Sequence, residues 1–207
     1  MTNRAAVGQK CIQEFVMEQN KGRLIIISGP SGAGKGTICA ELLRQMPDLV
    51  ISRSATTRAP RPNERKNRSY FFVSTETFLE MVKNNELLEY DQHFEHYYGT
   101  PKKFVVDMLN FGKDVILEID VKGALQVKEN YPDSMLFFIE APSEEALYER
   151  LVKRGSESED KIQIRMARTK LELAQRNKYD YCIMNDDLDR AVKEIIDILN
   201  KNKEQQK

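Results

Sequence analysis

The sequence predicts a three-layer α/β fold in which helices cover both faces of a parallel central sheet. Short apolar runs alternate with amphipathic stretches, a pattern typical of buried strands and of the helices that cover them. A glycine-rich segment directly follows the first apolar run. The chain has 207 residues, which is enough for one compact domain with insertions but too few for two domains of usual size.

The predicted elements follow from local patterns taken in order along the chain. Pro47 ends the first helix, and Ser74 and Ser143 precede helical patterns as N-caps. Residues 53–68 are arginine-rich and almost without apolar side chains. Strands are expected at 24–28, 49–52, 70–73, 114–119, 135–139 and 181–184, and helices at 35–45, after Ser74, at 102–111, from Ser143 to about 152, at 161–176 and at 188–200. Residues 87–90 and a turn at 97–100 complete an inserted lobe in this prediction.

These patterns also predict how the chain is divided. The core is expected at residues 22–52 and 101–200, with an inserted lobe at 53–100 and a polar, charged lid at about 153–165. Residues 1–21 form an N-terminal extension and residues 201–207 a frayed tail in this prediction.

Composition narrows the classes of function. Lys plus Arg and Asp plus Glu number 32 each, so no overall field would attract a nucleic acid polymer or a membrane surface. Apolar runs are strand-sized, and the first 22 residues hold no apolar signal region, so we expect a soluble, cytoplasmic protein. Cys11, Cys39 and Cys182 form no closely spaced pair, and buried free thiols are expected for the last two.

The glycine-rich segment predicts a phosphate-binding loop. Four glycines allow positive φ angles, so consecutive N–H groups can face one anion at the start of a helix. Lys35 supplies a mobile cation, but Gly36 stands where a hydroxyl residue usually follows, and the hydroxyl comes one place later at Thr37. The alternative is a purely structural glycine-rich turn. The loop comprises Gly29, Pro30, Ser31, Gly32, Ala33, Gly34, Lys35, Gly36 and Thr37.

Two further features are candidates for an acceptor site. Arg58 and Arg61 lie three apart among hydroxyl residues, and guanidinium forks match phosphate oxygens, although a solvated arginine-rich loop is the alternative. Glu89 follows an apolar pair, and a carboxylate can accept the adjacent N1–H and N2–H₂ of guanine, which adenine lacks. A surface acid is the alternative for Glu89.

Acids and arginines later in the chain complete the candidate site. Glu118 and Asp120 end a predicted buried strand, where they could hold Mg²⁺ through water or contact nucleotide, unless Asp120 simply caps the following turn. Arg150, Arg154 and Arg165 bracket the charged loop 155–160 and could close on a transferring phosphoryl group. A helix junction with salt bridges is the alternative for these arginines.

Taken together, these motifs resemble the guanylate kinase family from about residue 22 to residue 200. The resemblance rests on GPSGAGKGT at 29–37, SATTRAPRP at 54–62, YYGT at 97–100, LEIDV at 117–121, RLVKRG at 150–155 and NDDL at 185–188. It implies a P-loop NTPase fold with a GMP-binding lobe and a mobile lid. It also implies transfer of phosphate from ATP to GMP, and to dGMP, with Mg²⁺ as cofactor.

The resemblance assigns roles residue by residue. The phosphate loop would bind ATP, with Lys35 following the transferred phosphoryl group and Asn185 touching adenine. The lid would supply Arg154 and Arg165, with Arg150 in support, and Arg58 would also act in catalysis. The metal would be held mainly by nucleotide phosphates and water, with Asp120 as a possible ligand. On the GMP side the implied residues are Ser54, Arg58, Arg61, Glu64, Tyr70, Glu89, Tyr98, Thr100, Glu118 and Asp120.

The chain departs from the family pattern at three places. Asn63 and Asn67 occupy usual glycine positions, and Lys122 stands where Gln is common. Two rival functions follow from the same motifs: a non-catalytic interaction module of this family, and a kinase for AMP or a pyrimidine monophosphate. The retained Lys35 argues against the first rival, and Glu89 argues against the second. Either a monomer or a homodimer is compatible with the sequence.

Overall fold

The computed structural model describes residues 21–60, 70–93, 95–153 and 159–205. In chain order the strands are β1 (Leu24–Ser28), β2 (Val50–Ile51), β3 (Ala55–Thr56), β4 (Phe71–Phe72), β5 (Leu87–His93), β6 (His96–Pro101), β7 (Val115–Glu118), β8 (Met135–Glu140) and β9 (Tyr181–Met184). The helices are α1 (Lys35–Gln45), α2 (Thr75–Lys83), α3 (Lys102–Asn110), α4 (Val121–Asn130), α5 (Glu144–Lys153), α6 (Glu159–Leu173) and α7 (Leu188–Gln205), and Arg176–Lys178 form a 3₁₀ turn.

The strands form two sheets. Five parallel strands lie in the order β2-β7-β1-β8-β9, and four shorter ones lie in the order β4-β3-β6-β5. In the larger sheet, Ile26 of β1 pairs with Leu117 of β7 on one side and with Leu136 of β8 on the other. The first strand is therefore central, and its carboxyl end lies beside the ends of its two neighbours.

Alternation along β1 divides the core between the two faces of the parallel sheet. Ile25 and Ile27 belong to a buried cluster that includes residues of α1 and α7. Leu24 and Ile26 belong to a second cluster, with residues of α3 and α4. Because successive strand residues point to opposite faces, this apolar run needs helices on both sides. The predicted three-layer α/β fold is confirmed.

The smaller sheet has its own core around α2. Phe78 of this helix is fully buried with Ala55 and Leu87, and its ring stacks on Tyr97 with centroids 5.4 Å apart. The predicted cap is present, since Thr77 N–H donates to Ser74 Oγ at 3.2 Å. This unit is inserted in the chain between β2 and α3, so it stands beside the carboxyl edge of the larger sheet.

Four sequence expectations differ from the structure. Residues 97–100, expected as a turn, lie in strand β6 because they pair with β3 and β5. Helix α6 ends at Leu173, short of the predicted residue 176, and α7 continues through the predicted tail to Gln205. In that last stretch Asn202 Nδ2 donates to Tyr181 Oη at 3.2 Å and to Ile198 O at 2.9 Å, which ties the helix end to the sheet. Cys39 is buried as expected, but Cys182 is exposed, because β9 is the edge strand and alternates its side chains.

Within residues 21–60, 70–93, 95–153 and 159–205, no helix combines the length and the apolar character that a membrane span requires.

Candidate active site

The glycine-rich loop joins the carboxyl end of β1 to the N-terminus of α1. Gly29, Gly32 and Gly34 have φ angles of 135°, 90° and 94°, a region that side chains other than glycine rarely adopt. A Cβ atom at Gly29 would lie 2.4 Å from Ile139 O, and one at Gly34 would lie 2.3 Å from Asn185 Nδ2. The loop therefore needs glycine both for its backbone angles and for its close contact with the ends of β8 and β9.

Lys35 folds back over this loop. Its ammonium group donates to Gly29 O at 2.8 Å and to Pro30 O at 2.9 Å. Burial lowers the pKa of Lys35, while the nearby carboxylates, first Glu118 and then Glu172, act in the opposite direction. The cation is thus held at the loop, beside the N–H groups that open α1.

Three predicted residues from distant parts of the chain contact the loop. Arg150 donates to Asn185 O at 2.9 Å and to Ala33 O at 3.4 Å. The side chain of Asn185 is buried and donates to Ala33 O at 2.6 Å. Arg165 of α6 donates to Ser31 Oγ at 2.7 Å. Because α5, α6 and the segment after β9 all contact the loop, its conformation depends on tertiary packing.

A cleft of about 460 Å³ lies where the carboxyl edge of the parallel sheet, the smaller sheet and α6 meet. Its walls carry predicted site residues from both halves of the sequence. The lining residues are Gly29, Ser31, Lys35, Ser54, Arg58, Tyr70, Glu89, Asp91, Tyr98, Glu118, Ile119, Asp120, Ile164, Arg165, Arg168 and Glu172. The phosphate loop and the candidate acceptor residues therefore face one space.

Glu89 is a buried acid in this cleft. It is 6% exposed, and Thr100 Oγ1 donates to its Oε1 at 2.6 Å. Burial raises the pKa of Glu89 to about 7, and the charges of Asp120 and Asp91 add to the rise, whereas the hydrogen bond from Thr100 opposes it. The surface-acid alternative is wrong for this residue.

The arginine-rich segment contributes an aromatic and cationic wall. The Arg58 guanidinium lies over the Tyr70 ring at 5.6 Å from its centroid, and Tyr70 meets Tyr98 edge to face at 6.1 Å. One Arg58 N–H donates to Ala59 O at 2.7 Å. Other predictions lie outside the described residues, namely those for Arg61, Glu64, Asn63, Asn67 and Arg154.

Glu118 and Asp120 both line the cleft, but in different settings. Glu118 is the last residue of β7, and its Oε1 lies 3.3 Å from the position that a Gly36 Cβ atom would occupy. Asp120 follows the strand and caps α4, since Gly123 N–H donates to its Oδ1 at 2.7 Å. The cap that the alternative predicts for Asp120 is therefore present. Within the described ranges, no group of three or more His, Cys, Asp or Glu side chains could hold a metal ion.

Sequence reasoning missed several residues of the cleft, above all Asp91, Arg168 and Glu172. Arg168 lies 3.8 Å from Asp91 Oδ2 and from Asp120 Oδ2, and its Nε is 3.1 Å from Glu172 Oε1. Two signals pointed to them: Asp91 shares a strand face with Glu89, and Arg168 is one helical turn beyond Arg165. Both signals need the position of the cleft before they become informative.

A phosphate loop with an adjoining lysine, at the carboxyl edge of a parallel sheet, defines a P-loop nucleotide-binding protein. The family model described as guanylate kinase matches residues 21–202, which is most of the chain. The chain belongs to the guanylate kinase family. The fold class predicted from the resemblance is confirmed, as is the family itself.

Relatives and a solved structure agree with this assignment. The chain is 50% identical to the guanylate kinase of Caldanaerobacter subterraneus subsp. tengcongensis, with 86% of each chain covered. It is 48% identical to that of Desulfitobacterium hafniense, covering 88% of this chain and 92% of the relative. The crystal structure of guanylate kinase from Anaplasma phagocytophilum superposes with a TM-score of 0.72 at 30% identity, covering 88% of this chain and 87% of that one.

Proposed function

We propose that this chain transfers the γ-phosphoryl group of MgATP to GMP, and to dGMP, giving ADP and GDP or dGDP. One observation carries the proposal: a single cleft is lined both by the phosphate loop with Lys35 and by the buried acid Glu89. Phosphoryl transfer requires a donor phosphate and an acceptor phosphate in one water-excluding space. A cleft with a phosphate cradle on one wall and a base-reading carboxylate on another meets that requirement.

The phosphate loop is proposed as the ATP side. Its positive-φ glycines turn backbone N–H groups toward one anion, and α1 adds the partial positive charge of its N-terminus. Lys35 already lies at the loop, where its ammonium group can exchange carbonyl contacts for β- and γ-phosphate oxygens. Asn185 supports the loop by donating to Ala33 O. A contact between Asn185 and adenine is also part of the proposal.

The smaller sheet is proposed as the GMP side. Glu89 accepts the N1–H and N2–H₂ donors of guanine, while Thr100 holds one carboxylate oxygen and Ser54 lines the same wall. Arg58 and the two tyrosines, Tyr70 and Tyr98, frame the GMP phosphate. Arg61 and Glu64 are assigned to the same phosphate from the family resemblance alone.

The residues near the loop fit a nucleotide-bound Mg²⁺ ion. Gly36 leaves no hydroxyl after Lys35, and the space beside it is taken by the Glu118 carboxylate. Mg²⁺ keeps several waters and uses one or two carboxylates, so Glu118 would hold it through water, with phosphate oxygens as its main ligands. When bound, the ion neutralises charge on the phosphate oxygens. Asp120 is already engaged as a helix cap and by Arg168, which leaves it a minor part.

Catalysis in this proposal is positioning and charge neutralisation. The GMP phosphate is already an anion, so no general base is needed to generate the nucleophile. Arg165 reaches the phosphate loop from α6, and Arg150 supports the loop from α5. Arg154, assigned by resemblance, would add a further charge. These guanidinium groups would stabilise the charge that spreads over the transferring phosphoryl group.

The rival of a non-catalytic module of the same fold is not favoured. Such a module needs no cation at the phosphate loop, whereas Lys35 and Arg165 both contact this loop. We further propose that the enzyme acts in the cytoplasm in purine nucleotide metabolism and GMP recycling, where ATP and GMP meet, as a monomer or homodimer.

One assay tests the proposal directly. ADP production from MgATP is measured with GMP, dGMP, AMP, UMP and CMP in parallel, using the purified full chain. Turnover with GMP and dGMP only, abolished when Mg²⁺ is chelated, is the expected result. Equal rates with AMP and GMP would show that Glu89 does not select the base, and no turnover with any acceptor would overturn the enzymatic proposal.

A further inference from the structure

The first turn of α4 lies directly against the Glu89 carboxylate. A Cβ atom at Gly123 would be 2.6 Å from Glu89 Oε2 and 3.2 Å from Asp120 Oδ1. Real Cβ contacts are not that short, so any other residue at this position would push the carboxylate aside. The buried acid reaches its place because the third residue of the helix has no side chain.

A second contact of the same turn acts on the charge beside Glu89. Asp91 lies two residues further along β5, so both acids face the same side of the strand. The Asp91 side chain is only 9% exposed, and Lys122 Nζ donates to its Oδ1. This contact raises the pKa of Lys122. The residue that departs from the family pattern therefore has a defined partner within the cleft.

Further groups around Glu89 come from the N-cap of α4 and from α6, β6 and β7. Asp120 caps α4, and Arg168 of α6 lies 3.8 Å from both Asp91 and Asp120. Glu172, also of α6, holds Arg168 at 3.1 Å, and Thr100 of β6 contributes a neutral donor. Glu118 at the end of β7 also lines the cleft. The cations Lys35, Arg58, Arg165 and Arg168 also line the cleft, and with Lys122 they equal the five acids in number. Removal of any one cation would therefore leave a net negative charge around Glu89.

We propose that Lys122 and Gly123 are positioning residues for guanine recognition. Gly123 provides the room in which the Glu89 carboxylate faces the acceptor base. Lys122 neutralises Asp91, so Glu89 keeps the charge that accepts two donors. The inference rests on the proposed GMP kinase activity and assigns to α4, a helix of the core, a part in the selectivity of the smaller sheet.

A Gly123→Ala variant tests the steric half. Alanine favours a helix more than glycine does, so α4 should persist, and a loss of guanine binding would come from displacement of Glu89. We expect kcat/KM for GMP to fall roughly 10- to 100-fold, because a shift of about 1 Å at a positioning group has effects of this order. The KM for ATP should stay within about twofold. An unchanged KM for GMP would overturn this half.

A charge cycle tests the electrostatic half. At an effective dielectric of about 20, a bare charge some 7 Å from Glu89 would change its ionised fraction at pH 7 roughly 30-fold. Because the Lys122 side chain is 63% exposed and Arg168 stays 3.8 Å from Asp91, screening should reduce the rise in the KM for GMP to roughly five- to tenfold in Lys122→Met. Lys122→Arg should keep the KM for GMP at the value of the unmodified enzyme. Adding Asp91→Asn to Lys122→Met should return the raised KM for GMP to that value. The matched control is Lys128→Met on the same helix, which breaks an ion pair with Asp180 away from the cleft and should leave the KM for GMP unchanged.

The pH dependence separates positioning from a general loss of structure. The Lys122→Met defect should shrink above about pH 8, where Glu89 is ionised without help. A defect of equal size at every pH, or no reversal by Asp91→Asn, would overturn the electrostatic half. Absence of GMP turnover in the unmodified enzyme would instead refute the proposed function. If Glu89→Gln weakens GMP binding while the Gly123 and Lys122 variants do not, the proposal for Lys122 and Gly123 fails and the proposed function stands.

Discussion

GMP affinity should fall as pH drops through 7, because the buried Glu89 must be ionised to accept two guanine donors. A protonated carboxyl keeps one acceptor but presents an O–H donor to the donors of the base. The pKa of Glu89 is raised to about 7, chiefly by burial. At pH 8 roughly nine tenths of the sites are then ionised, and at pH 6 roughly one tenth, so the apparent Kd should rise about tenfold.

Calorimetry of GMP binding at pH 6, 7 and 8 measures this effect. Ionisation of Glu89 on binding releases a proton, and the heat with which the buffer takes up this proton differs from one buffer to another. The phosphate of GMP titrates near pH 6 and would weaken binding only about twofold at that pH. The matched control is Glu89→Gln, which retains the phosphate titration alone. Parallel pH slopes for the wild type and Glu89→Gln would refute the assignment of Glu89 as the base reader.

The same group has a consequence for the unliganded protein. Its folded-state pKa lies above that of a free carboxyl group, so the folded state retains the proton longer than the unfolded state. Its contribution to stability is present below about pH 4.5 and is lost as pH rises to about 7. Glu89→Gln should therefore raise the free energy of unfolding at pH 8 by up to about 3 kcal/mol. Urea denaturation measures it, and a less stable variant would contradict the burial argument.

Three further substitutions test the remaining parts of the structure. Lys35→Met should lower kcat by at least about 100-fold and leave the Kd for GMP within about twofold. The control is Lys103→Met at an exposed position. A parallel loss of GMP binding would count against the role of Lys35 on the ATP side. Arg165→Lys should lose roughly 10-fold or more in kcat, because an ammonium group cannot contact Ser31 and a phosphate as a fork does; full activity would contradict this. Phe78→Ala should lower the free energy of unfolding in urea by about 3–5 kcal/mol. The control, Phe111→Ala, removes a side chain that is 75% exposed and should cost less than about 0.5 kcal/mol. Equal losses would show that the smaller sheet has no core of its own.

The local part of the fold could be predicted from the sequence because it depends on neighbours along the chain. The apolar run 24–28 requires a strand buried on both faces, and Ser74 requires a helix start, whatever the rest of the molecule does. The position of a strand at the edge of a sheet is not local in this sense. The exposure of Cys182 follows from the position of β9 at the edge of the larger sheet. No local pattern specifies which strand ends a sheet.

For the candidate site, too, some features follow from neighbours along the chain and others from the tertiary structure. The sequence by itself determined that a phosphate loop is present, since its glycines, Lys35 and the following helix are contiguous. The contacts from Arg150, Arg165 and Asn185 that hold this loop were decided by the tertiary structure. Only the tertiary structure decided that Glu89 is buried, that Gly123 makes room for it, and that Asp91, Lys122 and Arg168 set the charge around it. Burial and Coulomb interactions depend on distance in space, and these residues come from β5, α4 and α6, which are far apart along the chain.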